Sequence, residues 1–445
     1  MPPSKILSGF AVIFGAFLST AASAEDATSD GTFTLERVEA DLWRAEYCFD
    51  EPVDAVAFTR PLEGMRESHW TSVSDEMKLV HENGAAKLVS KNGSAFRCGS
   101  VDVKTYTALP PKNYYAFSPF STGGMSVYTG YFTGDVQRDG TRQPFNLEAQ
   151  FKGLPGEQVL GYDLSNLVHQ YVYFGGEQLH RFDGLTAVID PAIPTSARDV
   201  IVGSIPEVNA ELSTLFNLKP SEPYLVYMAG GELDAFDGTS IKGGTQKNQI
   251  LFTLKGRGAL RIAEEDPTFF AKLTAHEVIH LWQRDIWPGL GDDFPWMHEG
   301  SADALAYELM RRTGHYSLDQ YENAWSSAQQ KCAERLEISS VHLGPAKGNF
   351  RVVYECGALV NWLMGALLNP SEPGQGIMTF WQSMAALPAE ARATGESETL
   401  FFTQLSALGV TPVKIERLRS FLDEQPGNPA AAIEALKSDL GVTGP

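Results

Sequence analysis

The stretch Thr274-Ala-His-Glu-Val-Ile-His280 decides how this chain of 445 residues is interpreted. On a helix, residues four positions apart lie on one face, so His276 and His280 can direct two imidazole nitrogens at one point. Glu277 projects beside that face, where its carboxylate can reach a metal-bound water without binding the metal itself. The stretch therefore predicts a helix that carries part of a metal centre.

A second stretch, Trp296-Met-His-Glu-Gly-Ser301, supplies the candidate for a third ligand. Eighteen residues separate His280 from Glu299, which is enough for the chain to leave one helix, turn and return on another. Three protein ligands and a water form the open coordination of a catalytic zinc, whereas four side chains close a structural one. Asp303 lies one turn beyond Glu299, where it can accept the spare N–H of a ligating histidine. We therefore predict one zinc ion bound by His276, His280 and Glu299.

The competing interpretation is a helix with two unrelated histidines. A His-Glu-x-x-His pattern arises by chance in roughly one chain in a hundred of this length. Against chance, apolar residues recur at helical spacing around the two histidines and again across residues 296–312. The combined spacing favours the metal site.

Together the two motifs resemble those of the gluzincin metallopeptidases. The glutamate eighteen residues after His-Glu-x-x-His, inside an aromatic-x-x-Glu-Gly frame, is most similar to the membrane alanyl/leucyl aminopeptidases and their glycyl-aminopeptidase relatives. The resemblance covers roughly residues 220–365. It implies an α+β chain, in which a β-rich N-terminal domain is followed by a thermolysin-like, mainly helical zinc-peptidase domain.

The resemblance also implies a role for each residue that matches a family motif. His276, His280 and Glu299 match the zinc ligands, and Glu277 matches the general base. Tyr354 matches the tyrosine of a Tyr-x-x-Gly motif, which hydrogen-bonds the oxyanion that develops during hydrolysis. The alternative for Tyr354 is a tyrosine at a helix start with its ring in the core.

Two departures from the family pattern bear on substrate recognition. The aminopeptidases carry a Gly-Ala-Met-Glu-Asn strand whose glutamate grips the free amino terminus of the substrate. The corresponding stretch here is Gly244-Thr-Gln-Lys-Asn248, which places Lys247 where that glutamate would be. A cation repels an ammonium group at this range, so the usual recognition of the amino terminus is not expected. The second departure is Asp303, four residues after the ligating glutamate, which is closer to the thermolysin pattern.

Gly244, Lys247 and Asn248 are the candidate substrate-binding residues, and the apolar run after them extends to Leu254. Two interpretations of this segment stay open. It is an edge strand near the metal that pairs with an extended peptide, or an ordinary buried strand after a Gly-Gly turn.

These residues predict a peptidase that hydrolyses peptide bonds with a zinc-activated water. Glu277 would take the proton of that water and pass it to the leaving amine, while Tyr354 would stabilise the oxyanion. One alternative is an aminopeptidase that recognises the amino terminus through other residues. The other is a catalytically inert, zinc-containing peptide-binding protein, against which the intact Glu277 argues.

The start of the chain predicts export. Lys5, an apolar run over residues 6–18 and the small residues Ala22-Ser23-Ala24 form the pattern of a cleaved signal peptide. We therefore expect residues 1–24 to be removed and the protein to be periplasmic or secreted. No later run is long and apolar enough to predict a membrane span.

Four cysteines fit an oxidising compartment and allow three pairings. Proximity in sequence favours the pairs Cys48–Cys98 and Cys332–Cys356, and free thiols are the alternative.

Composition and turn signals complete the prediction. The net charge of −20 argues against nucleic acid and anionic membranes as partners. The partner expected from the predicted peptidase site is a peptide or protein substrate. The composition makes no prediction of oligomeric state. Short β-favouring runs between Gly, Pro and Asn turns predict a β-rich domain over residues 25–190. The catalytic domain is predicted over residues 191–370 and a helical segment over 371–445.

Overall fold

The computed structural model of the protein describes residues 29–62, 64–82, 85–108, 114–220, 223–290, 294–393 and 397–444. The expected signal peptide, residues 1–24, lies outside the described residues.

The described N-terminal part folds into three β-sheets, a short α-helix, α1 (Met65–His69), and a single 3-10 turn at Thr129–Tyr131. Its strands are β1 (Gly31–Glu39), β2 (Leu42–Val53), β3 (Ala55–Phe58), β4 (Trp70–Ser72), β5 (Met77–Glu82), β6 (Ala85–Ser90), β7 (Phe96–Lys104), β8 (Phe117–Pro119), β9 (Met125–Tyr128), β10 (Gly134–Arg138), β11 (Thr141–Pro144), β12 (Glu148–Lys152), β13 (Gln158–Leu160) and β14 (Tyr171–Gly175). The sheets have the strand orders β12-β1-β2-β7-β4, β11-β10-β3-β6-β5 and β13-β14-β9-β8. In β1, Phe33 and Leu35 are buried while their neighbours are more exposed, which is the alternation expected of a strand with one face in a core.

A fourth sheet joins this part to the helices. Its strands are β15 (Leu179–Phe182), β16 (Leu185–Ile189), β17 (Tyr224–Glu232), β18 (Ser240–Lys242), β19 (Thr245–Gln246) and β20 (Gln249–Lys255). Their order is β15-β16-β17-β20-β18, and β19 also pairs with β20. The sheet begins at Leu179, before the predicted boundary at residue 190, and the domain limits stay predictions.

Strand β20 is an interior strand with every residue buried. Ile250, Phe252 and Leu254 pack into the helical core, whereas Leu251 belongs to the core of the N-terminal sheets. The apolar run is continuous because the strand is covered on both faces. Of the two interpretations of this segment, the buried strand therefore describes Gln249–Lys255. Strands β18 and β19 pair with β20 on its outer side.

Helices dominate the rest of the chain. They are α2 (Thr195–Phe216), α3 (Arg257–Glu265), α4 (Pro267–Ile286), α5 (Pro295–Arg312), α6 (Leu318–Leu336), α7 (Val352–Leu368), α8 (Pro373–Ala385), α9 (Ala389–Arg392), α10 (Ser397–Ala407), α11 (Pro412–Asp423) and α12 (Pro429–Leu440). Among the described residues, no single helix is long and apolar enough to cross a membrane. Helices α7 and α8 pass that test only as a pair, with a bend of 92° between them.

Both favoured cysteine pairs are present as disulfides. Cys48 and Cys98 face each other across the antiparallel strands β2 and β7. Cys332 on α6 is bonded to Cys356 on α7. The structure therefore has no free thiol.

Candidate metal centre

Helix α4 carries the first two predicted ligands and the predicted base. It begins at Pro267, and the side chain of Asp266 accepts a hydrogen bond from the N–H of Phe269, as expected of an N-cap. The helix is buried along most of its second half, which is why its sequence there is apolar on more than one face. His276 and His280 point the same way from this helix, as their spacing predicts.

Helix α5 brings Glu299 to the two histidines. Oε2 of Glu299 lies 3.2 Å from Nε2 of His276 and 3.2 Å from Nε2 of His280, and the two nitrogens are 3.0 Å apart. Tetrahedral ligands at zinc distances of about 2.05 Å are separated by about 3.3 Å. The three atoms therefore have nearly the spacing that one zinc ion requires.

Each histidine is oriented by an acceptor behind it. Nδ1 of His276 lies 2.8 Å from Oδ1 of Asp303, and Nδ1 of His280 lies 2.8 Å from Oε1 of Gln283. Both acceptors need a proton on Nδ1, so both Nε2 atoms keep their lone pairs for a metal ion. Two lone pairs and a carboxylate that face one point form a donor set that fits a divalent cation.

Asp303 stands where the sequence predicts it, and the structure adds a partner. Lys272, one turn before His276 on α4, forms an ion pair with it. Burial alone would raise the pKa of Asp303, but Lys272 and His276 hold it well below its usual range. The side chain is therefore a permanent carboxylate behind the first histidine.

Gln283 is a functional candidate that the sequence reasoning missed. Its amide group donates to Oγ of Ser301 at 2.8 Å and to the carbonyl oxygen of His298 at 3.0 Å, which leaves its oxygen for His280. The signal was present, because Gln283 lies three residues after His280 and thus on the same face of α4. Its two partners on α5 could not be read from spacing.

The Glu277 side chain lies against the backbone of Gly243 and lines the same cavity as the donor set. A Cβ atom at Gly243 would overlap the Glu277 carboxylate, so any larger residue there would displace that carboxylate from its present position. Burial raises the pKa of Glu277, and the neighbouring His276 and His280 oppose that shift. A carboxylate with a raised pKa is a stronger base, as a proton-transfer role requires.

Tyr354 on α7 reaches the same site because α5 and α7 cross closely. Gly300 follows Glu299 and packs against the backbone of Gly357, so a Cβ at either glycine would overlap the other helix. The Tyr354 ring stacks on His276, with ring centres 5.9 Å apart. Burial raises the pKa of Tyr354, so its hydroxyl keeps its proton and can donate. The glycines in the two motifs therefore bring the tyrosine to the metal site.

A cavity of about 580 Å³ opens onto these groups. His276, Glu277, His280, Glu299 and Tyr354 all line it. One wall, which includes Lys242, Gly243, Gly244 and Thr245, comes from β18, β19 and their connection, and another, with Arg60 and Tyr114, comes from the N-terminal part.

The three candidate substrate-binding residues occupy different places. Gly244 lines the cavity. Lys247 and Asn248 form the tight turn between β19 and β20, where Asn248 has a left-handed backbone and Lys247 lies over the ring of Tyr162. Neither occurs among the described residues that line the cavity. Substrate contact by these two residues stays a prediction.

Comparison with solved structures identifies the fold. Neither a protein-family model nor a curated protein sequence matches the chain. Among solved structures, it is similar to an aminopeptidase N family protein from Idiomarina loihiensis, with a TM-score of 0.64 and 12% identity over 91% of this chain and 78% of that one. An M1 zinc metallopeptidase from Deinococcus radiodurans gives a TM-score of 0.47 and 12% identity over 90% and 95%. Leukotriene A4 hydrolase from Saccharomyces cerevisiae gives a TM-score of 0.45 and 10% identity over 80% of this chain and 61% of that one. The first similarity shows that the chain has the fold of the aminopeptidase N family and confirms the predicted fold class.

Proposed function

We propose that this protein is a zinc-dependent metallopeptidase that hydrolyses peptide bonds. The observation that carries the proposal is the convergence of His276, His280 and Glu299 to within 3.0–3.2 Å, with Glu277 and Tyr354 lining the same cavity. Three protein ligands leave a coordination position open, which is typical of a catalytic zinc. The aminopeptidase N fold supports the same activity.

The donor set favours zinc, since imidazole nitrogens and one carboxylate oxygen at this spacing suit a tetrahedral ion. When bound, zinc would lower the pKa of a coordinated water to about 7 and polarise the substrate carbonyl. Asp303 and Gln283 would keep the two imidazole rings in the orientation that this site needs.

The residues of the chain would then move the proton and hold the charge. Glu277 would take a proton from the attacking water and deliver it to the amine that leaves. Gly243 supports this role because it leaves no side chain between the strand connection and the carboxylate. Tyr354, still protonated, would donate a hydrogen bond to the carbonyl oxygen as negative charge builds there. Removal of one such donor costs about 100- to 1,000-fold in rate.

The test separates three functions. The purified protein is incubated with a peptide library, half of it N-acetylated, with and without a chelator. Chelator-sensitive cleavage of both halves supports endopeptidase action, whereas cleavage of free-amine peptides alone supports an aminopeptidase that recognises the amino terminus by other residues. No cleavage supports an inert peptide-binding protein.

A matched pair of variants tests the mechanism. Glu277→Gln should abolish turnover, because the amide cannot take the proton, and should still bind one zinc ion per chain. His276→Ala should lose both turnover and zinc binding. Peptidase rates of Glu277→Gln that equal those of the unmodified protein would contradict the role of Glu277.

We also propose that the protein is exported. The signal-peptide pattern of residues 1–24 and the two disulfides support this. Amino-terminal sequencing of the protein from its native source should find a mature chain that begins near Glu25.

A further inference from the structure

Two cationic side chains line the cavity next to the metal centre, in a chain whose net charge is −20. They are Arg60 and Lys242. Among the described residues that line the cavity, the carboxylates are Glu277 and Glu299, which are the proposed base and a proposed zinc ligand. The positive groups therefore face the space that a substrate would fill.

Arg60 reaches the cavity from the N-terminal sheets, just after β3. Its guanidinium carbon lies 5.1 Å from the ring centre of Tyr114, 5.2 Å from that of Tyr128 and 5.8 Å from that of Tyr131. Nη1 donates to the hydroxyl of Tyr128 at 3.1 Å, and the buried Nε has no hydrogen-bond partner among the described residues. Aromatic rings attract and position a cation without cancelling its charge. Arg60 is thus held in place with its charge available to a ligand.

Lys242 supplies the second cation from the fourth sheet. It ends strand β18 and directly precedes Gly243, whose backbone packs against Glu277. Its Nζ lies 5.8 Å from the ring centre of Tyr114, the same ring that Arg60 contacts. Two separate parts of the fold therefore place one cation each beside a shared tyrosine.

A smaller recess of about 250 Å³ continues from the same place. Arg60 and Tyr114 line both spaces, and Arg284 on α4 is a further cation at the recess. The described residues that line the recess include no carboxylate. Strand β19 contributes Thr245 and Gln246 to this lining. Among the described lining residues, the recess therefore contributes a further cation and no carboxylate.

The charges of the loaded cavity sum to a positive value. Zinc contributes +2, and Arg60 and Lys242 contribute +1 each, which makes +4. Glu277 and Glu299 contribute −2 together, which leaves +2 on these groups. A positive, partly enclosed site repels an ammonium group and attracts an anion.

We propose that Arg60 and Lys242 select peptides that carry a carboxylate beside the scissile bond. The carboxylate would accept hydrogen bonds from both cations, and its source is either an acidic side chain or the free carboxyl terminus of a short peptide. Arginine suits this role because its planar group can bind a carboxylate through two parallel hydrogen bonds. This inference rests on the proposed peptidase function and names the substrate class of the same site.

The experiment compares peptides that differ only in this charge. Each peptide has glutamate or glutamine next to the scissile bond and is made with a free carboxyl terminus or as the amide. Hydrolysis by the zinc-loaded protein gives kcat/KM, and calorimetric titration of the zinc-loaded Glu277→Gln variant gives Kd without cleavage. We expect carboxylate peptides to be favoured about 10- to 100-fold in both measurements, since one charge-assisted hydrogen bond has this effect. The preference should weaken at high ionic strength.

Two substitutions assign the preference to the cations. Arg60→Met and Lys242→Met, each checked for folding by circular dichroism, should reduce the ratio between carboxylate and neutral peptides to near one. Arg142→Met is the matched control, because Arg142 is an exposed arginine on β11 that pairs with Asp135 and does not line the cavity. It should keep the full ratio.

The outcomes are distinct. A preference that follows glutamate identifies an acidic side chain as the ligand, and one that follows the free terminus identifies the terminal carboxylate. Equal Kd and equal kcat/KM for all peptides would overturn the inference without contradicting the proposed peptidase function. The inference would also be overturned if both Met variants kept the ratio between carboxylate and neutral peptides. Absence of hydrolysis would contradict the proposed function, while the Kd ratio would still decide the inference.

Discussion

The two disulfides close loops of different length, and only one lies near the proposed active site. Cys332 and Cys356 are separated by 24 positions and join α6 to α7 two residues after Tyr354. Cys48 and Cys98 are separated by 50 positions and join two strands of the N-terminal sheets. Stability and catalysis should therefore respond differently to the loss of each bond.

The loop lengths set the expected change in the free energy of unfolding. A disulfide restricts the unfolded chain, and the entropy removed grows with the logarithm of the loop length. Loops of 24 and 50 positions correspond to stabilisation of about 3.5 and about 4 kcal/mol at 25 °C. Alanine is the suitable replacement, because Cys332 and Cys356 are fully buried and a serine hydroxyl at either position would need a hydrogen-bond partner.

The double variants Cys332→Ala/Cys356→Ala and Cys48→Ala/Cys98→Ala would be compared by urea unfolding and by peptidase kinetics. Both should lose stability, with the larger loss for the N-terminal pair. Only the first should lower kcat, by about tenfold, because α7 carries Tyr354 and a small displacement weakens its hydrogen bond to the oxyanion.

Two results would refute this reasoning. One is an equal fall in kcat for both double variants, which would mean that the disulfide beside Tyr354 has no local role. The other is a loss below about 1 kcal/mol for both, which would mean that loop closure is not what the bonds contribute.

Two further predictions concern the surroundings of the metal site. Gln283→Leu leaves Nδ1 of His280 without its acceptor, so zinc affinity, measured by competition with a chromophoric chelator, should fall about 10- to 100-fold; unchanged affinity would remove Gln283 from the site. His342 lies between Glu398 and Asp423, at 2.9 and 2.8 Å; burial opposes its charge, but the two carboxylates raise its pKa above 6.5. Its contribution to stability is complete below about pH 6.5 and is lost as the pH rises through the raised pKa. Between about pH 6 and about pH 8, the Tm of the unmodified protein should therefore fall relative to the Tm of His342→Gln. Parallel curves of Tm against pH for the two proteins would contradict this.

The residues of the metal site could be predicted because their relation is mostly local. His276 and His280 are four residues apart on one helix, so the periodicity of the helix alone places both rings on one face. Glu299 was predicted from its spacing after His280, and Tyr354 from motif resemblance. The reason that the two motifs contain glycine became clear only in the packed helices. Gly300 and Gly357 allow two backbones to meet there.

The contacts that determine what enters the cavity could not be predicted from the sequence. Residues 244–254 were compatible with an edge strand or an interior strand, because a buried apolar run has no periodicity that distinguishes them. The pairing of β20 with β17 on one side and with β18 and β19 on the other placed it in the interior of the sheet.

Sequence by itself determined the helix with its metal-binding face, the candidate third ligand and the favoured cysteine pairs, since these follow from spacing along the chain. Only the tertiary structure placed Arg60, which follows β3, and Lys242, which ends β18, beside the same tyrosine at one cavity. Their meeting depends on how the sheets pack, and local periodicity carries no record of that. For the same reason, the sequence did not show that two cationic side chains line the cavity of a chain whose net charge is −20.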